Sequence, residues 1–500
     1  MSSSFPPRST TSFALPSYSD SGPEHSLVQN QLRFVRTVAL SVGIQGPVAG
    51  VIVGPAILAS LVGGAGALVY LLGLIAMAFV AYAFVIFTRQ FNSSGSVYAF
   101  NATALGPTYG FVSAWILLLV YLSFAAGVYA STADIAQTLF ASLGVHLGWI
   151  WFALAGFVVT MVFAYRSIRV TTMVIFVVEG LAVVLLTIVG VAVMLRGGYH
   201  HHALSASPFQ LHGVALGALG IGIVNAFGAF SGFEGAATLG EESGSPSVTI
   251  PRAIAWSLIG SAAIYIVFTW IANNAYASSG ALAADPAPFV HLANVYVSPV
   301  MGKLVNVAGV ISAFGAQLAC IVAANRLIFT LGRDVGPERP WGRPFLTRTH
   351  SRFASPVGAL AVSGFVTLVA LLAFSREPTA IRALIMIIEF GAYLIIVVYF
   401  MTVVAAAVWV LRRARRVLPI IVLSTGILVL GGVLYDTFHP FPPAPYNWIV
   451  ASAGFSVGVG VVIARTPHVR TQLRASPLLR AVSHHATSSS PRATSAPPAS

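Results

Sequence analysis

The sequence contains almost no cysteine and few charged residues, and both shortages exclude whole classes of protein. Its 500 residues include one cysteine, Cys320, so an intramolecular disulfide and a multi-cysteine metal site are excluded. Only 8% of the residues are charged, whereas a soluble domain carries about a quarter. Since 57% of the residues are hydrophobic, no soluble fold could bury the apolar surface, and lipid must surround most of the chain.

Lysine is equally scarce: Lys303 is the single lysine, and arginines make up the rest of the 26 basic residues. A net charge of +13 often indicates a nucleic-acid partner. Here the basic residues are distributed among short loops and a tail, which is the pattern of membrane topology instead. The sequence therefore predicts the lipid bilayer, and no nucleic acid, as a partner. The preference for arginine suggests a genome rich in G and C, hence a bacterium.

Twelve apolar segments are long enough to cross a bilayer. A spanning helix needs roughly 20 apolar residues, because the hydrocarbon core is about 30 Å thick and each helical residue rises about 1.5 Å. Several segments exceed one crossing, which indicates tilt, extension or interruption. The sequence therefore predicts an all-α polytopic membrane protein. The predicted spans lie near residues 37–62, 66–88, 109–140, 149–165, 172–195, 214–240, 253–275, 302–331, 356–374, 379–411, 418–435 and 446–465.

An even number of spans places both termini on one side, and the basic residues indicate which side. With both termini in the cytoplasm, 22 of the 26 basic residues lie inside, as the positive-inside rule requires. The outer side keeps Arg196, Lys303, Arg376 and Arg382. We therefore expect a multi-pass protein of the plasma membrane, the inner membrane if the source is a bacterium, with cytoplasmic termini.

Both ends of the chain lack an apolar period. Residues 1–34 and 466–500 are rich in Ser, Pro, Thr and Ala, and we predict that they are disordered cytoplasmic tails. No signal-peptide layout precedes the first span, which is therefore expected to serve as an uncleaved insertion signal. The remaining residues, 35–465, form one predicted twelve-helix domain.

Two spans in matching places are interrupted by glycine and proline. Residues 43–50 read GIQGPVAG in span 1, and residues 225–235 read NAFGAFSGFEG in span 6. Small residues can simply allow close helix packing. Interruptions five spans apart, however, are typical of transporters with inverted repeats, whose substrate binds between two discontinuous helices. We predict a repeat of residues 35–200 in residues 201–411, with residues 412–465 as two accessory helices.

Three further stretches are distinctive in their order and spacing. Residues 87–99 read FTRQFNSSGSVYA, residues 238–254 contain TLGEE and TIPRAI, and residues 324–327 read ANRL. They resemble the link between spans 2 and 3, span 6 with its inner loop, and the end of span 8 in the amino acid–polyamine–organocation superfamily. The resemblance covers residues 35–465 and implies the leucine-transporter-type fold, with a five-plus-five inverted repeat and broken helices 1 and 6.

The resemblance also implies a binding site. In such permeases the substrate's carboxylate meets backbone amides of span 1 and its ammonium meets carbonyls of span 6, in keeping with the partial charges of helix ends. Alignment on residues 55–60 (PAILAS) places the family's Gly-Ser-Gly on residues 48–50. The tryptophan gate of the family's arginine/agmatine exchanger aligns with Gly228, which implies a roomier pocket. We expect non-helical backbone around 48–50 and 228–232, lining one cavity. The implied substrate-binding residues are Gln45, Val48, Ala49, Gly50, Phe227, Gly228, Phe230, Ser231 and Gly232.

Four carboxylates lie inside predicted spans; Asp134 is near the outer end of span 3, where we expect it to be solvated. The other three lie deeper, where each costs about 3 kcal/mol to insert and is a functional hypothesis by default. Glu234 follows the interruption in span 6 and aligns with the exchanger's membrane glutamate. Glu179 lies in span 5, where some proton-coupled relatives carry a lysine that aligns with Ala182. Glu389 lies in span 10. Proton coupling or gating is the functional reading of all three, and a structural hydrogen bond is the alternative.

Other charged residues lie near the ends of spans. Arg326, Arg333 and Asp334 are near the inner end of span 8, and we predict that they form an interface anchor and inner-gate ion pairs. Three adjacent histidines at residues 200–202 lie in an outer loop. Because neighbouring side chains point apart, no metal site is predicted there.

The combined prediction is a secondary transporter that imports an amino acid or related amine with protons. An exchanger that uses the same site remains the first alternative, and a non-transporting sensor on the same fold remains the second. No His pair with a carboxylate and no phosphate-binding Gly-rich loop occurs, so neither an enzyme nor ATP-driven transport is predicted, and no cofactor is expected.

Overall fold

The chain is helical throughout the part that the computed structural model describes. Those residues are 33–91, 95–141, 144–211, 213–340, 342–413, 417–439, 441 and 444–476. Within them no β-strand is found, which confirms the predicted all-α class. Most of both predicted tails, residues 1–32 and 477–500, lies outside the described residues.

Eighteen α-helices follow one another along the described residues, joined by short turns and 3-10 segments. The second, seventh, eighth and twelfth predicted segments are followed by short helices that the apolar pattern alone does not reveal. In chain order the helices are α1 Phe34–Gln45, α2 Pro47–Val62, α3 Gly66–Thr88, α4 Val97–Leu105, α5 Pro107–Ala141, α6 Trp149–Ala164, α7 Ile168–Arg196, α8 Leu216–Phe230, α9 Pro246–Ala275, α10 Ser279–Ala283, α11 Pro288–Tyr296, α12 Pro299–Val335, α13 Arg343–Leu346, α14 Val357–Ala373, α15 Ala380–Arg413, α16 Val417–Phe438, α17 Tyr446–Arg465 and α18 Pro467–Ala475.

Every predicted span overlaps helix in the structure. Among the described residues, eight helical stretches are long and apolar enough to cross a membrane, and the first of them, Phe34–Thr88, contains α1, α2 and α3. Two shorter apolar helices are α6 and α14. Several helices are much longer than one crossing needs: α5 has 35 residues and α12 has 37. Tilt or extension beyond the hydrocarbon accommodates such lengths. The chain is a multi-pass membrane protein.

The centre of the helical array is formed by α5, which packs against both α12 and α15, and all three helices are mostly buried. The outer helices present large apolar side chains instead. Leu428 on α16 is 77% exposed, and Phe455 on α17 is 74% exposed. A soluble monomer rarely exposes a continuous apolar surface of this kind, so these faces are lipid-facing.

The prediction of a disordered tail from residue 466 is wrong for its first ten residues. Helix α18 begins at Pro467, and its Val469 and Leu473, one helical turn apart, are buried. The Ser476 hydroxyl then donates a 2.8 Å hydrogen bond to the carboxylate of Asp334 at the end of α12. Two apolar residues are too few to give a visible period in the sequence, and the surface that α18 covers exists only in the folded chain.

Candidate functional site

The first predicted span is interrupted at Gly46, between α1 and α2. Gly46 has left-handed backbone with φ of 50°, and its N–H bonds back to the carbonyls of Val42 and Gly43. Pro47 follows; it has no N–H, disfavours helical backbone in the residue before it and starts α2. The break therefore falls before residues 48–50, which are helical. The expectation of non-helical backbone at Val48–Gly50 is wrong by about two residues, because the glycine before proline adopts the strained conformation more readily than the residues after it.

The sixth predicted span is interrupted at Ser231 and Gly232. Helix α8 ends at Phe230, Ser231 is extended, and Gly232 has φ of 121°, after which Phe233–Leu239 forms a 3-10 helix. The non-helical stretch therefore begins at Ser231, and Gly228, expected to belong to it, lies within α8. A Cβ atom at Gly228 would meet no atom within 4 Å, so there is open space where the exchanger's tryptophan aligns.

The two interruptions touch each other. A Cβ atom at Gly232 would lie 2.5 Å from Cγ2 of Ile44 and 3.0 Å from the backbone nitrogen of Gln45. The Ser41 hydroxyl on α1 donates to the Phe233 carbonyl at 2.9 Å. Non-helical backbone deep in a membrane protein is tolerated only where protein or a polar cavity satisfies it. Here the Ser41 hydroxyl of span 1 satisfies a backbone carbonyl at the interruption in span 6.

Gln45 is the polar link between the interruptions. Its side-chain amide donates to the Phe230 carbonyl at 2.9 Å, which is the last carbonyl of α8. From α9, the Ser261 hydroxyl donates to Gln45 Oε1 at 2.7 Å and the Tyr265 hydroxyl donates to the Gln45 carbonyl at 3.1 Å. The predicted substrate ligand Gln45 is therefore fully hydrogen-bonded within the protein.

The backbone amides at the start of α2 also have partners. The Val48 N–H donates to Glu179 Oε1 at 3.3 Å, and the Ala49 N–H donates to the Ser312 hydroxyl at 3.1 Å. The Gly50 N–H bonds to the carbonyl of the left-handed glycine that ends α1, at 2.9 Å. The partial positive charge of this helix end therefore faces the carboxylate of Glu179.

Aromatic rings surround the interruption in α8. Phe230 makes edge contacts with Tyr70 and Tyr265, at centroid distances of 5.8 Å and 5.7 Å, and these two tyrosines stack on each other. Phe227 lies 6.4 Å from Tyr399. All of these rings are buried, whereas Ala49, Gly50 and Gly228 near the two breaks are partly exposed.

Glu234 lies two residues past the break and is 1% exposed. Its carboxylate accepts three hydrogen bonds: from the Tyr399 hydroxyl at 2.6 Å, from the Gly232 N–H at 2.9 Å and from the Tyr121 hydroxyl at 3.1 Å. Tyr121 belongs to α5 and Tyr399 to α15. The carboxylate thus joins the interrupted helix to two helices of the central array.

The other two predicted carboxylates have different surroundings. Glu179 on α7 is 4% exposed, and its second oxygen, Oε2, has no hydrogen-bond partner in the described part of the chain. Glu389 on α15 is half-buried. The structure therefore places Glu179 against the interruption in span 1 and Glu234 against the interruption in span 6, whereas no hydrogen bond from Glu389 to either break is found among the described residues.

Ion pairs connect α12 to the loop that follows the 3-10 helix. Arg326 forms a two-point ion pair with Glu242, at 2.8 Å and 3.2 Å, and both side chains are almost fully buried. Arg333 pairs with Glu241 at 3.0 Å and 3.1 Å and also approaches Asp334. These pairs match the anchor and ion-pair roles predicted for the arginines, and they bring the TLGEE and ANRL motifs together.

Sequence reasoning missed the hydroxyl groups that complete the site. They come from α5, α9, α12 and α15, far apart in the chain. Each is one polar residue in an apolar span, and the sequence contains many such residues, so this signal could not have singled them out. The missed residues are Tyr121, Ser261, Tyr265, Ser312 and Tyr399.

Alanine at Gly232 should lower transport by more than about tenfold without preventing membrane insertion. The backbone at position 232 has a positive φ, which costs an alanine about 1–3 kcal/mol. The added Cβ would also press on Ile44 and Gln45. Gly217 on α8, the helix before the break, is the control, because a Cβ there meets open space. Uptake normalised to the amount of protein in the membrane measures the effect. Equal uptake by Gly232→Ala and Gly217→Ala would contradict a functional break at Gly232.

A second polar region lies at the end of the helical array that is predicted to face outward. There a cavity of about 740 Å³ is lined by His200 and His201, together with Asp285 and His291. Burial and a 2.6 Å hydrogen bond to Asp285 raise the pKa of the Tyr276 hydroxyl above its usual range. In the described residues, no three His, Cys, Asp or Glu side chains are arranged to hold a metal ion.

Comparison with known proteins matches most of the chain. The profile of the amino acid permease family matches residues 32–471. An uncharacterised transporter of Mycobacterium tuberculosis is 29% identical over 408 residues, which cover 78% of this chain and 82% of that protein. The branched-chain amino acid permease of Bacillus subtilis is 25% identical over 385 residues, which cover 73% of this chain and 77% of the permease.

Other relatives are named for different substrates. The low-affinity putrescine importer of Escherichia coli is 27% identical over 333 residues, which cover 65% of this chain and 69% of the importer. Among solved structures, a manganese transporter mutant from Eremococcus coleocola superposes with a TM-score of 0.53, covering 92% of this chain and 99% of that one at 13% identity. This likeness shows a shared fold, that of leucine-transporter-type proteins.

Proposed function

Because the chain belongs to the amino acid permease family of the amino acid–polyamine–organocation superfamily, we propose that it imports an amino acid or related amine together with protons, by alternating access. The family is one of amino acid permeases, and the two relatives described above with an amino acid or an amine in their names are a branched-chain amino acid permease and a putrescine importer, which supports this class of substrate. The direction of transport, the coupling ion and the residues that carry them are the proposal.

The observation that carries the proposal is the contact between the two interruptions. Gly232, which has a positive φ, lies against Ile44 and Gln45, the two residues that precede the left-handed Gly46, and Gln45 donates a hydrogen bond to the Phe230 carbonyl. A purely structural membrane helix has no need of such breaks, because a continuous helix satisfies its own backbone. Paired breaks are the arrangement that transporters use to expose backbone groups to substrate.

Glu234 is the coupling carboxylate that the geometry favours. Three donors stabilise its charged form here, and they come from the break itself and from two other helices. Movement of the 3-10 helix relative to α5 and α15 would separate the carboxylate from the two tyrosines. Without its donors a buried carboxylate is stabilised by taking a proton. Its protonation would therefore differ between conformations, as coupling requires.

Glu179 and Glu389 are the alternative coupling sites. Glu179 contacts the start of α2, so movement of that helix would also change its surroundings. Glu389 is only half-buried and lies on α15 away from both breaks. Both remain in the test, because either could carry a proton if Glu234 serves only to brace the break.

The fold supports a specific architecture for this transporter. We propose twelve spans, with residues 35–200 and 201–411 as inverted repeats and residues 412–465 as two accessory helices. In this scheme α1 with α2 forms span 1, and α8 with the 3-10 helix forms span 6. The interruptions then occupy equivalent positions in the two repeats, and α4, α10, α11, α13 and α18 lie outside the count of spans.

Reporter fusions should place the two termini in the cytoplasm. In this orientation 22 of the 26 basic residues are inside, and basic residues are retained on that side of the membrane. A reporter at the C-terminus and one in the loop near His200 should report opposite sides. If both report the same side, the twelve-span arrangement is wrong.

The experiment that tests the function uses purified protein in proteoliposomes. Uptake of radiolabelled amino acids and amines is measured with an inward proton gradient, with a sodium gradient at fixed pH, and with no gradient. We expect at least one compound to accumulate under the proton gradient only. Exchange of internal for external substrate without accumulation would show an exchanger, and no transport of any compound would refute the transport proposal.

A further inference from the structure

Both places where a zwitterionic substrate would bind are filled by the protein's own groups. The Val48 and Ala49 amides, which would hold a substrate carboxylate, donate to Glu179 and Ser312. The Phe230 carbonyl, which would hold an ammonium, accepts from the Gln45 amide. The start of α2 therefore already faces a carboxylate, and a second carboxylate beside Glu179 would be repelled.

Glu179 keeps one acceptor without a donor. Its Oε1 accepts the Val48 N–H, while Oε2 is buried and has no hydrogen-bond partner in the described residues. Buried charged groups are normally paired, because an unpaired charge in an apolar surrounding is costly. No basic side chain pairs with Glu179 within the described residues; its polar neighbours are Tyr265, whose hydroxyl is engaged with Gln45, and the Ser312 hydroxyl, which accepts from the Ala49 N–H. Oε2 is therefore satisfied either by a proton on the carboxyl group itself or by a donor that comes from outside the protein.

From this arrangement we infer that the transported molecule is a primary amine that needs no α-carboxylate, and that Glu179 Oε2 receives its ammonium group. The inference rests on the proposed function and narrows it to one of the two substrate classes. Glu179 takes the place that a substrate carboxylate would have at the start of α2. The site would therefore bind a cation instead of a zwitterion. An ammonium group has three donors and satisfies Oε2 by a charge-assisted hydrogen bond.

Matched pairs of compounds test this directly. Each pair joins an amino acid to the amine that remains when its carboxylate is removed: ornithine with putrescine, lysine with cadaverine, and leucine with 3-methylbutylamine. Every compound competes against whichever labelled compound the wild-type protein takes up in proteoliposomes. The expected result is that the amine of each pair inhibits uptake at a concentration about tenfold lower than its amino acid, or lower still.

Substitution of Glu179 identifies the residue that sets this preference. Glutamine keeps the size and an acceptor for the Val48 N–H but removes the charge, so amine inhibition should weaken by about ten- to a hundredfold. Inhibition by the amino acid should weaken far less. Glu179→Asp retains the charge and should restore part of the amine preference. Asp134→Asn, the same chemical change near the outer end of α5, should leave the ratio within each pair unchanged.

The outcomes separate this inference from the proposed function. If the amino acids inhibit more strongly than their amines, the inference is overturned and the transport proposal stands. If Glu179→Gln changes the pH dependence of uptake but not the ratio within pairs, Glu179 is a proton site and the inference is again overturned. If no compound of the panel is transported, both fail. Direct binding of putrescine, measured by a thermal shift of the purified variants, shows whether each variant is folded and whether it has lost the ligand.

Discussion

Replacing Glu234 with glutamine is expected to abolish accumulation of substrate under a proton gradient while exchange at equal pH continues. Glutamine fills the same volume and can still accept from Tyr399, but it cannot release and take up a proton. One unit of pH across the membrane is worth about 1.4 kcal/mol per proton, which is about tenfold in the concentration ratio. With a pH difference of one unit, the ratio of internal to external substrate concentration should therefore be about ten for the wild-type protein and about one for Glu234→Gln. Counterflow in proteoliposomes measures exchange, and uptake under a pH step measures accumulation.

Parallel variants at the other two carboxylates complete the test. Glu179→Gln and Glu389→Gln should retain proton-driven accumulation of any substrate that they still bind. If accumulation is lost in Glu179→Gln and kept in Glu234→Gln, the coupling site has been assigned to the wrong break. If all three variants accumulate substrate normally, carboxylate coupling is wrong. If the wild-type protein instead follows a sodium gradient at fixed pH, the coupling ion is wrong.

Replacing Arg326 with methionine should lower the free energy of unfolding by about 3–5 kcal/mol, the usual effect of removing one partner from a buried ion pair. The two-point pair with Glu242 is 5% and 2% exposed, so the remaining carboxylate would be left charged in an apolar surrounding. Arg326 also donates to the Val322 carbonyl at 3.0 Å, which adds to the loss. The change in the free energy of unfolding is measured on the purified protein in detergent, with heat or denaturant used to unfold it.

A double variant and an exposed pair serve as controls. Arg326→Met with Glu242→Met removes both charges and should recover much of the stability that either single variant loses, because no charge is left unpaired. Arg382 and Glu377 lie 3.5 Å apart with side chains 58% and 24% exposed. Arg382→Met should change the stability by less than about 1 kcal/mol. Equal losses at Arg326 and Arg382 would contradict a buried anchor on α12.

One short segment connects the proposed coupling site to this anchor. The 3-10 helix Phe233–Leu239 begins beside Glu234, and the loop after it carries Glu241 and Glu242, which pair with α12. Any change at Glu234 that moves the 3-10 helix therefore acts on ion pairs at the other end of the same segment. This connection gives a physical route from protonation of one carboxylate to movement near the predicted inner end of span 8.

The interrupted helices show how far sequence reasoning reached into the site. Glycine and proline predicted breaks in spans 1 and 6, and both spans are broken. In span 1 the break lies at Gly46 rather than at residues 48–50, and in span 6 it occupies Ser231 and Gly232, the last two residues of the predicted range 228–232. A break can move by a residue or two within a run of small residues, because several of them tolerate unusual backbone. Which one adopts it depends on contacts such as that between Gly232 and Ile44.

The sequence by itself determined the class of this protein, its family and the approximate position of its long apolar helices, but not of the short helices α4, α10, α11, α13 and α18. Apolar segments of about 20 residues can be stable only as membrane helices, and this constraint is local and strong. Tertiary structure alone decided which polar groups meet: Glu179 with the start of α2, Glu234 with two tyrosines from α5 and α15, and α18 with α12. The physical reason is that lipid fixes the length and composition of a span, whereas hydrogen-bond partners lie on helices distant in the chain. No local pattern specifies those pairs.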